Sequence, residues 1–197
     1  MLFNETNTSD FILEASSDSK FIFIKGPDVQ IPKFRCPFGV SCFETDYGAP
    51  KYNLELEIHE SDRSKAFLDW LGTIENHVIN YVCENAMDIF GREMGREQIQ
   101  DMFRSNLKED RFRVKIDKDT LSKGPDGNSV EILSKGAMKG NTCVCVLKLK
   151  MVYFMNNNFG LVWNATRLRS ALPSNLPRNP TLPNINFSTN YSYGALD

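Results

Sequence analysis

Tyr52-Asn53-Leu54-Glu55-Leu56-Glu57-Ile58-His59 decides the fold, because the hydrophobic period changes just after it. Within this stretch Leu54, Leu56 and Ile58 alternate with Asn53, Glu55, Glu57 and His59, which is the period of a half-buried strand. From Ser61 onward the spacing becomes helical. Phe67, Trp70, Leu71, Ile74, Val78, Tyr81 and Val82 fall on one face, with Ser61 or Asp62 as cap and Gly91 as stop after Phe90. A second short helix is expected with Ile99, Met102, Phe103 and Leu107 on one face.

Working outward, strand patterning surrounds this helical block. Towards the N-terminus, Lys20-Phe-Ile-Phe-Ile-Lys25 alternates and ends at Gly26-Pro27. Pro32 and Pro37 bracket Lys33-Phe34-Arg35-Cys36, which predicts a short or edge strand. Phe38 to Pro50, with two glycines, reads as a loop. Towards the C-terminus, Arg111-Phe-Arg-Val-Lys-Ile116 alternates strictly, and Gly124-Pro-Asp-Gly-Asn128 is a turn. Val130–Leu133 reads as a strand and Gly140-Asn141 as a turn. Thr142 to Met155 and Phe159 to Asn164 read as two strands joined through Asn156-Asn157-Asn158. Strands, two helices and more strands make an α+β or β-barrel architecture with a helical insertion at about 61–107, not a doubly wound sheet. One β-rich domain is expected over 1–171. The tail, 172–197, carries four prolines with many Asn and Ser and is expected to be extended, a possible arm for a second copy of the chain.

With 197 residues, 41% hydrophobic and 24% charged, the chain is long enough to bury a core without staples. No run of 18 apolar residues exists, so no membrane-spanning helix is expected. The polar, acidic start lacks the features of a signal peptide. An odd count of five cysteines without framework spacing points to an intracellular, reducing compartment. The net charge of −2 hides a split: 11 Lys+Arg against 20 Asp+Glu in residues 1–110, and 12 against 5 in 111–197. Such asymmetry points to a polyanion site built from the second half.

No catalytic residues are expected. Only His59 and His77 are present, and neither sits in a nucleophile, phosphate-loop or metalloprotease pattern. No metal and no cofactor is expected either. Cys36 and Cys42 lie around a turn, and Cys143 and Cys145 share a face with Leu147 and Leu149; neither spacing is a zinc knuckle, and buried free cysteine suits a core. Whether these four thiols meet in space is not written in the sequence.

Nucleic acid fits better. Arg111, Arg113 and Lys115 project from one face of their strand, as do Lys148 and Lys150 of theirs, where Val152 and Phe154 are expected beside them and Leu147 to Tyr153 opposite. Arg167 and Arg169 follow Trp163, and Lys33, Phe34 and Arg35 form another basic and aromatic cluster. Cations spaced along strands suit phosphates, and Phe34, Phe154 and Trp163 are the expected stacking faces for bases. The competing expectation is a solvated basic face, or an assembly protein using its tail.

The order and character of these elements resemble the single-stranded DNA-binding proteins of nucleocytoplasmic large DNA viruses. The resemblance covers about residues 15–170. It is carried by Lys33-Phe34-Arg35-Cys36-Pro37-Phe38-Gly39, the acidic strand Tyr52–His59, the helix Ser61–Phe90, the basic strand Arg111–Ile116, and the closing pair Cys143–Phe154 and Phe159–Trp163. It implies an OB-like barrel with a helical insertion that coats single-stranded DNA during replication and has no catalytic residues. The tail departs from the acidic ends of many such proteins, since Tyr191-Ser-Tyr-Gly-Ala-Leu-Asp197 holds one acid.

Overall fold

The computed structural model describes residues 1–16, 21–44 and 48–171. The expected extended tail, 172–197, lies outside the described residues, as does Lys20 at the head of its strand. In chain order the strands are β1 (Ile12–Ala15), β2 (Phe21–Lys25), β3 (Val29–Gln30), β4 (Phe34–Arg35), β5 (Val40–Phe43) and β6 (Lys51–Glu57). Helices α1 (Asp62–Glu84), α2 (Ala86–Phe90) and α3 (Arg96–Met102) follow. Then come β7 (Phe103–Arg104), β8 (Leu107–Lys108), β9 (Arg111–Ile116), β10 (Leu121–Lys123), β11 (Thr142–Met155) and β12 (Asn158–Ala171).

Five of these strands close a ring. β11 pairs with β4, β4 with β6, β6 with β9, β9 with β12, and β12 with β11. The β9–β12 pair is parallel and the others antiparallel. The fold is therefore α+β: an OB-like five-stranded barrel with its helices inserted between β6 and β9. β2 extends the barrel wall along β11, with β1 outside it.

Alternation explains the ring. Leu54 and Leu56 of β6, Phe112, Val114 and Ile116 of β9, and Cys143, Cys145, Leu147 and Leu149 of β11 all point inward and are buried. Helix α1 covers the core: Phe67 packs on Phe34 and Phe112, and Trp70 on Trp163, with ring centroids 5.4–5.7 Å apart. Removing the Phe67 ring would cost about 3–5 kcal/mol. Ser61 caps α1, its hydroxyl accepting from the Ser64 amide at 3.1 Å. Gly91 ends α2 at φ 69°, the left-handed stop expected of it. Among the described residues no helix is long and apolar enough to cross a membrane.

Several local expectations change. α1 ends at Glu84 and α2 is a separate turn of helix. Phe103 and Leu107 leave the third helix for β7 and β8. Val130–Leu133 is not a strand, and the expected loop from Phe38 contains β5, which pairs with β6. β4 is short, as the flanking prolines require, but it is not an edge, since both neighbours bond to it. The β11–β12 turn is tighter than expected, with Asn156 and Asn157 both at positive φ (50° and 58°), the signature of a two-residue hairpin turn.

Two register irregularities in the β11–β12 ladder matter most. One lies between Val146 and Leu147 and leaves Thr166 without an opposite residue; the other lies between Leu149 and Met151 and does the same for Lys150. An extra residue on one strand reverses which side chains face out beyond it. After Lys150, Val152 turns inward and Tyr153 outward, the reverse of strict alternation. After Thr166, Arg167 faces out although Trp163, four residues earlier, faces in.

Candidate nucleic-acid interface

The outer face of the barrel over β2, β11, β12 and β7 carries a row set by backbone register. Phe21 is opposite Tyr153, Tyr153 opposite Gly160, and Gly160 opposite Arg104. The next row runs from Phe23 to Met151 to Val162. Phe21 and Phe23 are 40% and 47% exposed, so both rings are partly presented to solvent on this face. Gly160 has a steric reason to lack a side chain: a Cβ there would lie 2.7 Å from both the Tyr153 hydroxyl and the Arg104 carbonyl oxygen. Tyr153 thus lies across bare backbone, beside Arg104.

Beyond Tyr153 the face deepens into a groove of about 440 Å³, lined among others by Arg104, Lys108, Arg111, Arg113, Tyr153 and Glu55. The β8–β9 hairpin sets its wall, with Lys108 opposite Arg111. A third row runs Asn53, Lys115, Asn164, Lys148 across β6, β9, β12 and β11. Arg111, Arg113 and Lys115 on β9 and Lys148 and Lys150 on β11 therefore lie on the outer face of the two strands that flank β12.

Carboxylates share it too. Arg113 donates to Glu55 through Nη2 at 2.6 Å and Nε at 3.2 Å, and the Arg111 guanidinium is 4.0 Å from the same carboxylate. Arg111 also lies 3.7 Å from Asp110 and 4.9 Å from the centre of the Phe38 ring. Lys150 donates to Asp117 at 3.3 Å, and Asn164 donates to the same carboxylate oxygen. Burial alone would raise the Asp117 carboxyl, but Lys150, the Asp119 amide and Asn164 together hold it below its ordinary value. Arg35 reaches Glu57 at 3.7 Å on the far side of β6 from the groove. Acidic β6 thus sits between basic β9 and Arg35 of β4, and among the described residues no unbroken cationic trough forms.

The expected stacking residues are not on this face. Phe34 and Trp163 are each 1% exposed and pack against Phe67 and Trp70. Phe154 packs on Phe90 and Phe159, because the irregularity at Lys150 turns it to the core side. Lys33 and Arg35 flank inward Phe34, and Arg35 stands across Glu57 from the groove. Arg167 and Arg169 lie further along β12, beyond Thr166 and beside β10. Phe21, Phe23, Tyr153, Arg104 and Lys108 were not anticipated. For the two phenylalanines a signal existed: if Ile22 and Ile24 face in, both rings must face out.

The thiols settle separately. Cys36 and Cys143 meet, Sγ to Sγ 2.8 Å, and Cys143 lies 3.7 Å from the Met138 sulfur. Their mutual hydrogen bond, then burial, hold the Cys36 thiol far above its ordinary range, and burial raises Cys145. Cys42 stands apart on β5 opposite Tyr52. Among the described residues no group of metal-ligating side chains is arranged to hold an ion.

A model described as a family of unknown function, DUF5871, matches residues 52–184. The chain belongs to this family. The matched segment runs from β6 through β12, so it contains the helices, the groove and most of the barrel. No curated protein matches this DUF5871 chain. Solved structures similar to it include the single-stranded DNA-binding protein from bacteriophage Enc34 in complex with ssDNA, at 10% identity and a TM-score of 0.45, covering 82% of this chain and 95% of that one. Another is gp2.5, a single-stranded DNA-binding protein encoded by bacteriophage T7, at 12% identity and a TM-score of 0.47, covering 79% and 97%.

Proposed function

We propose that the chain is a non-enzymatic single-stranded DNA-binding protein acting in viral DNA replication or recombination, in a reducing intracellular compartment. The observation that carries the binding role is the row Phe21–Tyr153–Gly160–Arg104 with the groove beside it. Exposed rings offer faces to unpaired bases, worth about 1–3 kcal/mol per base, while adjacent cations take the phosphates. Bases paired within a duplex cannot use those rings, which favours an unpaired strand. The row crosses four strands at about 4.8 Å spacing, roughly 14 Å in all. That width suits the low end of the roughly 4–16 nucleotides an OB barrel covers. The viral setting is supported by the layout of the sequence elements, and the reducing compartment by the odd count of five cysteines without framework spacing.

The test is fluorescence anisotropy with an unstructured thymidine oligonucleotide at 50 and 200 mM salt, with uridine and duplex oligonucleotides in parallel. Micromolar or tighter binding that weakens with salt and is lost on duplex is the expected result. No binding to either single strand at 50 mM salt sinks the proposal, and a clear preference for the uridine strand reassigns the substrate to RNA.

A further inference from the structure

The groove holds an anion of its own. We infer that Glu55 is a built-in competitor for the phosphate: it occupies Arg113 and Arg111 in the unloaded groove, and a bound strand has to take them from it. This rests on reading the face as a single-strand site.

Three observations point to competition rather than simple bracing. First, the Glu55 side chain is 20% exposed and lies between two guanidiniums, at a position of β6 directly opposite Arg113 of β9. That pairing keeps the carboxylate at the groove. Second, the arginine side chains are more exposed, 43% and 56%, so they are the partners free to turn towards a ligand. Third, both of Glu55's close contacts are with cations that line the groove wall. A phosphate oxygen approaching Arg113 therefore meets a guanidinium already engaged and a carboxylate of its own sign. An exposed arginine that loses its carboxylate is solvated by water, so removing Glu55 strands no charge.

The consequence is a protein that exchanges ion pairs when it binds. Fewer counterions are released than its cations would suggest, so the salt dependence is shallower than the number of lining Lys and Arg implies. Affinity then leans on base stacking, which duplex cannot supply.

The experiment compares full-length wild type, Glu55→Gln and Glu84→Gln by anisotropy on the thymidine oligonucleotide across 25–300 mM salt. Glutamine keeps the volume and removes the charge. Glu84, exposed at the end of α1 and not among the residues lining the groove, makes the same change in net charge. Glu55→Gln is expected to bind about three- to tenfold tighter at low salt. Its slope of log affinity against log salt should steepen by about 0.7. Glu84→Gln should match wild type. The inference is overturned if wild type binds but Glu55→Gln binds equally or more weakly, for then Glu55 positions Arg113. It is overturned too if Glu84→Gln gains as much, since the effect is then one of overall charge. If neither wild type nor Glu55→Gln binds, the proposed function fails, and the inference fails with it.

Discussion

Replacing Phe21 and Phe23 together with alanine tests the stacking face directly. Both rings project outward from β2 beside Tyr153 and Met151. If each stacks one base at about 1–3 kcal/mol, the pair contributes at least about 2 kcal/mol, a loss of roughly 30-fold or more in affinity. The fold should survive. Full burial of a phenylalanine is worth about 1.5–3 kcal/mol, and these rings are already about half exposed, so each truncation costs roughly 1 kcal/mol of stability. The assay is anisotropy on the thymidine oligonucleotide at several salt concentrations, with circular dichroism melts to verify folding. No charge is altered, so the salt slope should match wild type while the whole line drops. Phe154→Leu supplies the contrast. That ring packs inward on Phe90 and Phe159, so its loss should lower the melting temperature and leave affinity untouched. A folded double variant that binds like wild type would refute the stacking role, as would a Phe154→Leu variant that loses affinity instead.

Gly160→Ala places a methyl 2.7 Å from the Arg104 carbonyl oxygen and the Tyr153 hydroxyl, so it should displace both and weaken single-strand binding severalfold, read by the same titration with a melt as control. Burial raises the Glu75 carboxyl above its ordinary value despite the Ser105 hydroxyl it accepts from at 2.6 Å. A raised folded-state value favours folding below the unfolded value, and that contribution is lost as pH rises through the folded one. Glu75→Gln should therefore raise the melting temperature at pH 7 relative to wild type, at about 2–4 °C per kcal/mol, and the gain should shrink towards pH 4. Buried Cys36, Cys143 and Cys145 should resist a thiol reagent in the native protein, while half-buried Cys42 and Cys83 react; counting released chromophore before and after adding guanidinium checks this.

Much of the fold could be read from hydrophobic period alone, because period reports burial. β9 and β11 fall where the alternation puts them, and α1 starts at the capping Ser61. What escaped has a common cause in long-range geometry. The unpaired residues at Lys150 and Thr166 exist only because β11 and β12 curve around a barrel, and nothing local announces them. Yet the one at Lys150 decides that Tyr153 faces out and Phe154 in, and the one at Thr166 that Arg167 faces out although Trp163 faces in. β4 was legible as short, but its place between two strands depends on ring closure. Strands as brief as β7 and β8 carry too few residues to show a period. That is why the sequence does not place Arg104 and Lys108 on a strand face, although both are plainly basic. Phe21 and Phe23 are the opposite case. Their alternation is clear and marks the strand, and its outward half is what places both rings on the proposed stacking face.

The charge split shows why a linear count misleads here. Twelve cations in 111–197 against eleven in the longer first part suggest a positive half and a negative half. The barrel does not keep the halves apart. β6 comes from the acidic part and is hydrogen-bonded to basic β9 along six residue pairs, two of which set glutamate opposite arginine: Glu55 with Arg113 and Glu57 with Arg111. Opposite charges directly across an antiparallel pair help fix the register of the strands, at roughly 0.2–1 kcal/mol a pair. The arginines that would meet phosphate on the proposed function are thus the ones that align β9 on β6. A variant with only cations on this face would place like charges opposite one another and weaken the pairing that closes the barrel. On the proposed function the glutamates thus serve the pairing as well as competing for the arginines, and the face then leans on its exposed rings for what phosphate contacts alone would not supply.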